Sequence, residues 1–155
     1  MADASVTVAS STQIAYVSSG ASIAAAAFNV STDIANALTS TNMKRWPRCD
    51  ATLMVSQGSS TASTLMAIPL FRRDINIDGT SDEAIPGTLT QAHFVGNFIL
   101  ASSTSTAGAQ YMKITDIPLP ATTDCEFYIS NALTNLISAG WTLKITPKTD
   151  VGSTV

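Results

Sequence analysis

The chain has 155 residues and a mass of 16.1 kDa, enough for one domain with its own core and no need of disulfides or metals to hold it together. Only 12% of residues are charged against 45% hydrophobic, at a mean hydropathy of +0.23, so Ser, Thr, Asn and other small residues must cover much of the surface. The net charge of -3 and pI near 4.8 argue against a phosphate-binding face, which needs clustered Lys and Arg, so nucleic acid is not an expected partner.

A surface this poor in charge suits a protein packed against neighbours in an assembly, a reading preferred here to the alternative of a Ser- and Thr-rich soluble β-sandwich. No apolar run approaches the roughly 20 residues of a membrane helix. The start Met1-Ala2-Asp3-Ala4-Ser5 has neither the basic region nor the apolar stretch of a signal peptide. The expectation is a protein made in the cytoplasm with no membrane partner. Cys49 and Cys125 are expected as reduced, buried small hydrophobes rather than as a disulfide.

Period-two alternation with turn punctuation predicts strands from end to end. In chain order these are Ser5 to Val8, Thr12 to Val17, Ala21 to Val30, Ala51 to Ser56, Thr64 to Arg73, Ala92 to Leu100, Gln110 to Ile117, Cys125 to Ser130 and Trp141 to Thr146. The third is ambiguous, because Ala24 to Ala27 favours helix on propensity; Gly20 and Asn29 frame it as a strand. Pro69 makes the fifth either an edge strand or two short strands joined at a bulge. In the last, Trp141, Leu143 and Ile145 face a core, and Gly140 and Pro147 mark its ends. The total of about eight strands predicts an all-β fold, an antiparallel β-sandwich of jelly-roll type. Residues 1-155 form a single domain, with the first few residues and Asp150 to Val155 poorly ordered or reaching to a partner.

Asp74-Ile75-Asn76-Ile77-Asp78-Gly79 reproduces the first six positions of a calcium loop, with alternate oxygen ligands and a Gly at the sharp turn. The twelfth position, which needs a bidentate Glu, is Ile85, and Arg72 and Arg73 would repel a cation. A tight turn with carboxylates paired to the arginines is the preferred reading. Lys44-Arg45-Trp46-Pro47-Arg48 is the only dense positive cluster and reads as a solvated loop, a protein interface or a nucleic-acid contact, in that order. His93 is the only histidine, so a Ser-His-Asp triad has no other base and a zinc site no second imidazole; it reads as an ordinary strand-face residue. No pair of carboxylates is singled out for glycoside cleavage, and Asn29-Val30-Ser31 is a sequon without an export signal. No catalytic residue, metal or cofactor is expected, and the protein is not expected to be an enzyme.

Several segments together resemble a known family. They are Arg72-Arg73-Asp74 leading to Asp78-Gly79-Thr80-Ser81-Asp82, then His93-Phe94-Val95-Gly96-Asn97-Phe98 and Ile117-Pro118-Leu119-Pro120. Phe127-Tyr128-Ile129 and the run from Gly140 to Pro147 complete the set. The region from Leu70 to Pro147 thereby resembles small β-sandwich virion proteins of tailed bacteriophages, of the capsid decoration or cement type. The resemblance implies a homo-oligomer, a trimer, seated on the major capsid protein at the outer capsid surface, with no catalytic or metal residues.

The leading expectation is a non-enzymatic cement protein that stabilises the shell, with Arg45, Trp46, Arg72, Arg73, Asp74 and Asp78 as candidate interaction residues and an Arg72 and Asp78 turn shaping a subunit contact. The alternative is a carbohydrate-binding module of a tail fibre or spike, with Trp46 or Tyr111 as a stacking platform.

Overall fold

Alternation of apolar and polar residues becomes alternation of faces along much of β3 and β8 in the computed structural model. The model describes residues 5–9, 14–28, 46–56, 66–75, 77–78, 80, 83, 93–100, 109–120, 123–132 and 137–152. The strands are β1 (Ser5–Ala9), β2 (Ile14–Gly20), β3 (Arg48–Ser56), β4 (Met66–Ile75), β5 (His93–Leu100), β6 (Ala109–Pro118), β7 (Asp124–Ile129) and β8 (Trp141–Gly152). Among the described residues there is no helix.

Two antiparallel sheets result. The five-stranded sheet has the order β1-β8-β3-β6, with β2 also paired to β8, and the three-stranded sheet has the order β5-β4-β7. β1 and β2 run end to end along the same edge of β8: Ser5 to Ala9 oppose Gly152 to Lys148, and Ile14 to Gly20 oppose Ile145 to Trp141. Taken as one interrupted edge strand, they bring the eight labelled segments to seven strands.

One boundary was misread. Pro147 does not end the last strand, which pairs Pro147 with Cys49 of β3 and continues to Gly152. Of the end segments expected to be loose, Asp150, Val151 and Gly152 pair with Thr7, Val6 and Ser5, and residues 1–4 and 153–155 lie outside the described residues. Pro69 lies in the middle strand of the three-stranded sheet, one residue before the ladder to β7 begins at Leu70 and beside a register shift between Leu70 and Phe71 on the β5 side. Neither expected alternative holds as stated: β4 is not an edge strand, and it is one continuous strand with a register shift after Pro69 rather than two short strands.

The expected strand from Ala21 to Val30 is replaced, over its described part, by a turn at Ala25 and Ala26 between two isolated bridges, Ile23 to Ile137 and Phe28 to Ser130. Ala26 takes a left-handed φ of 58° and the Ala27 N–H donates to the Ala24 carbonyl at 3.2 Å. Alanine supplies little of the side-chain packing that holds a pleated strand.

The core lies between the sheets. Leu53, Trp141, Leu143 and Ile145 from one sheet meet Ile68, Leu70, Phe98 and Phe127 from the other, all essentially without exposure. Trp141 is locked in place: its indole N–H donates to the Ala21 carbonyl at 2.8 Å, and the ring lies where a side chain at residue 20 would be, so only Gly fits there.

Candidate functional site

The inward face of β4 changes character toward its end. Leu70 opposes Ile129 in the core, but Arg72 opposes Phe127 and Asp74 opposes Cys125, so an ion pair occupies the end of the sandwich where apolar residues give out. Arg72 Nε lies 3.2 Å from Asp74 Oδ1, and Arg72 Nη1 donates to the Pro118 carbonyl of β6 at 2.9 Å, so this one side chain ties the sheets together. On the outward face Arg73 sits directly opposite Glu126. Its Nε and Nη2 both approach Glu126 Oε2 at 2.7 Å, the Tyr128 hydroxyl donates to the same oxygen at 2.7 Å, and the guanidinium lies 5.6 Å from the Tyr128 ring centre.

Glu83 closes the loop that leaves β4. Its N–H donates to the Asp74 carbonyl at 3.0 Å, its Oε2 accepts from the Asp74 N–H at 2.8 Å, its carbonyl accepts from Arg73 Nη1 at 2.8 Å, and its Oε1 is 3.0 Å from His93 Nε2. The Asp74 N–H holds the Glu83 carboxyl below its usual range; burial opposes this and the His93 bond assists it. Asp78 accepts from the Thr80 N–H and hydroxyl at 3.0 and 3.2 Å, an Asx turn at the loop tip, beside Ile77, which is half exposed.

The acidic run is thus not laid out as an ion loop. Its first position, Asp74, is extended strand facing Arg72, and Asp78 folds back on Thr80; the partner drawn from this run for Arg72 is Asp74 rather than the expected Asp78. Among the described residues no three His, Cys, Asp or Glu gather as a metal-ligand set.

Of the aromatic and basic cluster, Lys44 and Arg45 lie outside the described residues. Trp46 is half-buried against the core, and the Pro47 carbonyl accepts from the Leu119 N–H at 2.9 Å. Because Arg72 reaches the neighbouring Pro118, the two clusters singled out in the sequence meet at Pro118 and Leu119.

A second polar group on the outward face of the five-stranded sheet was missed. Asp50, 8% exposed, receives Lys113 Nζ at 2.8 Å on Oδ2, Lys148 Nζ at 2.7 Å on Oδ1, and the Asp116 N–H at 3.0 Å. Asp116 stands at a bulge opposite Cys49 to Ala51, with φ of 60°, and pairs with Lys148 at 2.7 Å and Arg48 at 3.1 Å. Burial works against the Asp50 charge, but the bonds from Lys113, Lys148 and Asp116 prevail and hold its pKa at about 2. Burial likewise works against Lys148, and its bonds to Asp116 and Asp50 raise it above the usual lysine value. The available signal was the outward register of β3 and β8, in which Arg48, Asp50 and Thr52 stand beside Lys148, Thr146 and Lys144.

Cys49 and Cys125 are free and buried. Burial first, then nearby negative charge, raises the Cys49 thiol, and burial pushes Cys125 up to about 12, so neither is a thiolate nucleophile at neutral pH. No described helix is long and apolar enough to cross a membrane. Comparison with models of known families, with curated proteins and with solved structures gives no match.

Proposed function

We propose that this protein is a non-enzymatic virion structural protein, a decoration or cement protein that binds the outer capsid surface and stabilises the shell. The observation that carries the reading is convergence. The separate segments that resemble phage decoration proteins supply Arg72, Arg73, Asp74, His93, Pro118 and Tyr128, and these join through Glu83 and Glu126 into one hydrogen-bonded clasp. A resemblance spread over the chain therefore describes a single structural unit.

Strand order supports it too. One sheet runs from the β1 and β2 edge through β8 and β3 to β6; the other runs from the bridged segment ending at Phe28 through β7 and β4 to β5. We read that interleaving of early and late strands as jelly-roll order, an architecture used by capsid and lectin domains. The clasp holds a loop whose tip presents Ile77, Asp78 and Thr80 to solvent, a small apolar centre with a polar rim suited to an interface. We assign this loop to the contact with the major capsid protein, and a trimer to the form that binds.

The mechanism is mass action: a protein that binds only the assembled shell stabilises it by RT ln(1 + [L]/Kd) per site, and many copies sum. Particles lacking the protein should rupture at lower temperature in a light-scattering melt, and electron microscopy should place the missing density on the shell. Equal rupture temperatures, or density at the tail, would refute the proposal. Ile77→Asp should weaken shell binding while leaving the melting temperature of the free protein unchanged.

A further inference from the structure

We infer that the outer face of the five-stranded sheet carries a binding groove for an acidic saccharide. The groove has a volume of about 410 Å³ and is lined by Thr52 and Met54 of β3, Tyr111 of β6, and Thr142 and Lys144 of β8. That volume falls within the range of small-molecule sites. Register fixes its layout: Tyr111, Met54 and Thr142 form one row across three strands, and Lys113, Thr52 and Lys144 form the next. Strand spacing makes the first row about 10 Å wide and sets the rows about 7 Å apart, the dimensions of one or two sugar rings.

The chemistry of the lining selects the occupant. Tyr111 is 74% exposed, an aromatic ring standing on a sheet face, and such a ring offers an apolar surface to the C–H face of a pyranose with a polar tip beside it. Thr52 and Thr142 provide hydroxyls that can both donate to and accept from sugar hydroxyls. The two nearby lysines differ in state. Lys113 is held by Asp50 at 2.8 Å, whereas Lys144 lines the groove and forms no ion pair among the described residues, which leaves its ammonium for a carboxylate or sulfate on the ring. An exposed ring, two hydroxyls and one available cation complement an anionic sugar better than a neutral one or an apolar peptide.

The groove is separate from the clasp. Tyr111 pairs with Met54 and Pro118 with Arg48, six residues along the same two strands, so the two regions are about 20 Å apart. A subunit bound to a shell through its clasp end would present the groove at the other end.

The test is an amide NMR titration of the full-length protein at neutral pH with 3′-sialyllactose, a hyaluronan hexasaccharide, a sulfated chondroitin tetrasaccharide and, as the neutral control, lactose. Saturable shifts at Thr52, Tyr111, Thr142 and Lys144 are expected with at least one acidic probe, and lactose should bind about tenfold more weakly or not at all. Lys144→Gln should reduce acidic-probe affinity about tenfold and remove its salt dependence. Tyr111→Ala should abolish binding, with the rest of its amide spectrum unchanged as the check on folding. Three results would overturn the inference: no shifts with any acidic probe at about 10 mM, equal binding of lactose, or groove shifts that follow protein concentration alone, which would assign the face to a second copy.

Discussion

Asp50 makes the structure's polar architecture measurable. Its carboxyl would titrate near 3.8 in the unfolded chain and does so at about 2 in the folded protein. At about 1.4 kcal/mol per tenfold difference in proton affinity, the gap corresponds to about 2 kcal/mol of stability. The sign follows from the depressed value. Below pH 4 the unfolded chain binds the proton more readily, so the contribution is complete above about pH 4, declines as pH falls, and is gone below about pH 2. Asp50→Asn removes the charge and leaves the buried Lys148 ammonium with Asp116 alone, at a cost of about 3 kcal/mol at neutral pH. Urea unfolding followed by tryptophan fluorescence, on both proteins from neutral pH to about pH 2, isolates the effect, because other carboxylates titrate alike in both and cancel. The stability difference should shrink from about 3 to about 1 kcal/mol on acidification. A difference that stays constant, or grows in acid, would refute the assignment of Asp50 as the hub.

Other outcomes follow from single contacts. Gly20→Ala drives a methyl into the Trp141 ring, which its bond to Ala21 prevents from moving aside, and should cost about 3 kcal/mol in a thermal melt; a loss under about 1 kcal/mol would mean that the ring can shift. Glu83→Ala leaves the part-buried Asp74 N–H without its acceptor and should destabilise by about 2 kcal/mol, whereas Glu83→Gln keeps an acceptor oxygen and should cost less; equal losses would argue against the clasp. Cys49 and Cys125 should resist iodoacetamide at about pH 8 in the native protein and react once urea unfolds it, and native labelling at the unfolded rate would contradict their burial.

Strands with one buried face were legible. Trp141, Leu143 and Ile145 alternate with the more exposed Thr142, Lys144 and Thr146 because water lies on one side only. Boundaries were harder, since Pro147 and Asp74 carry side chains typical of loops yet sit in ladders, the first opposite Cys49 and the second opposite Cys125 and neutralised by Arg72. The arginines of the site were visible as a cluster, and the pairing of Arg72 with a carboxylate of the acidic run was within reach. Glu126 and Tyr128, however, reach Arg73 only through the register of β4 against β7, and His93 reaches Glu83 only once the loop has closed; neither relation is local in the chain. The Asp50 hub was hidden for the same reason, because Asp50, Lys113, Asp116 and Lys148 come from three strands. The same distance hid the groove, although Tyr111 itself stood out.

The position of β8 has a consequence for how the molecule is made. β8 is the last of the described strands, yet it is the partner of β1, β2 and β3. On a ribosome β1 and β2 therefore wait for β8, and the larger sheet cannot close until Trp141 to Gly152 have emerged. Until then the apolar sides of β3 and the three-stranded sheet are without their cover. A chain that stopped before Trp141 would lack the mate of both edge segments as well as the residue that seals against Gly20, so truncation ahead of β8 should yield material for proteolysis or aggregation rather than a folded domain.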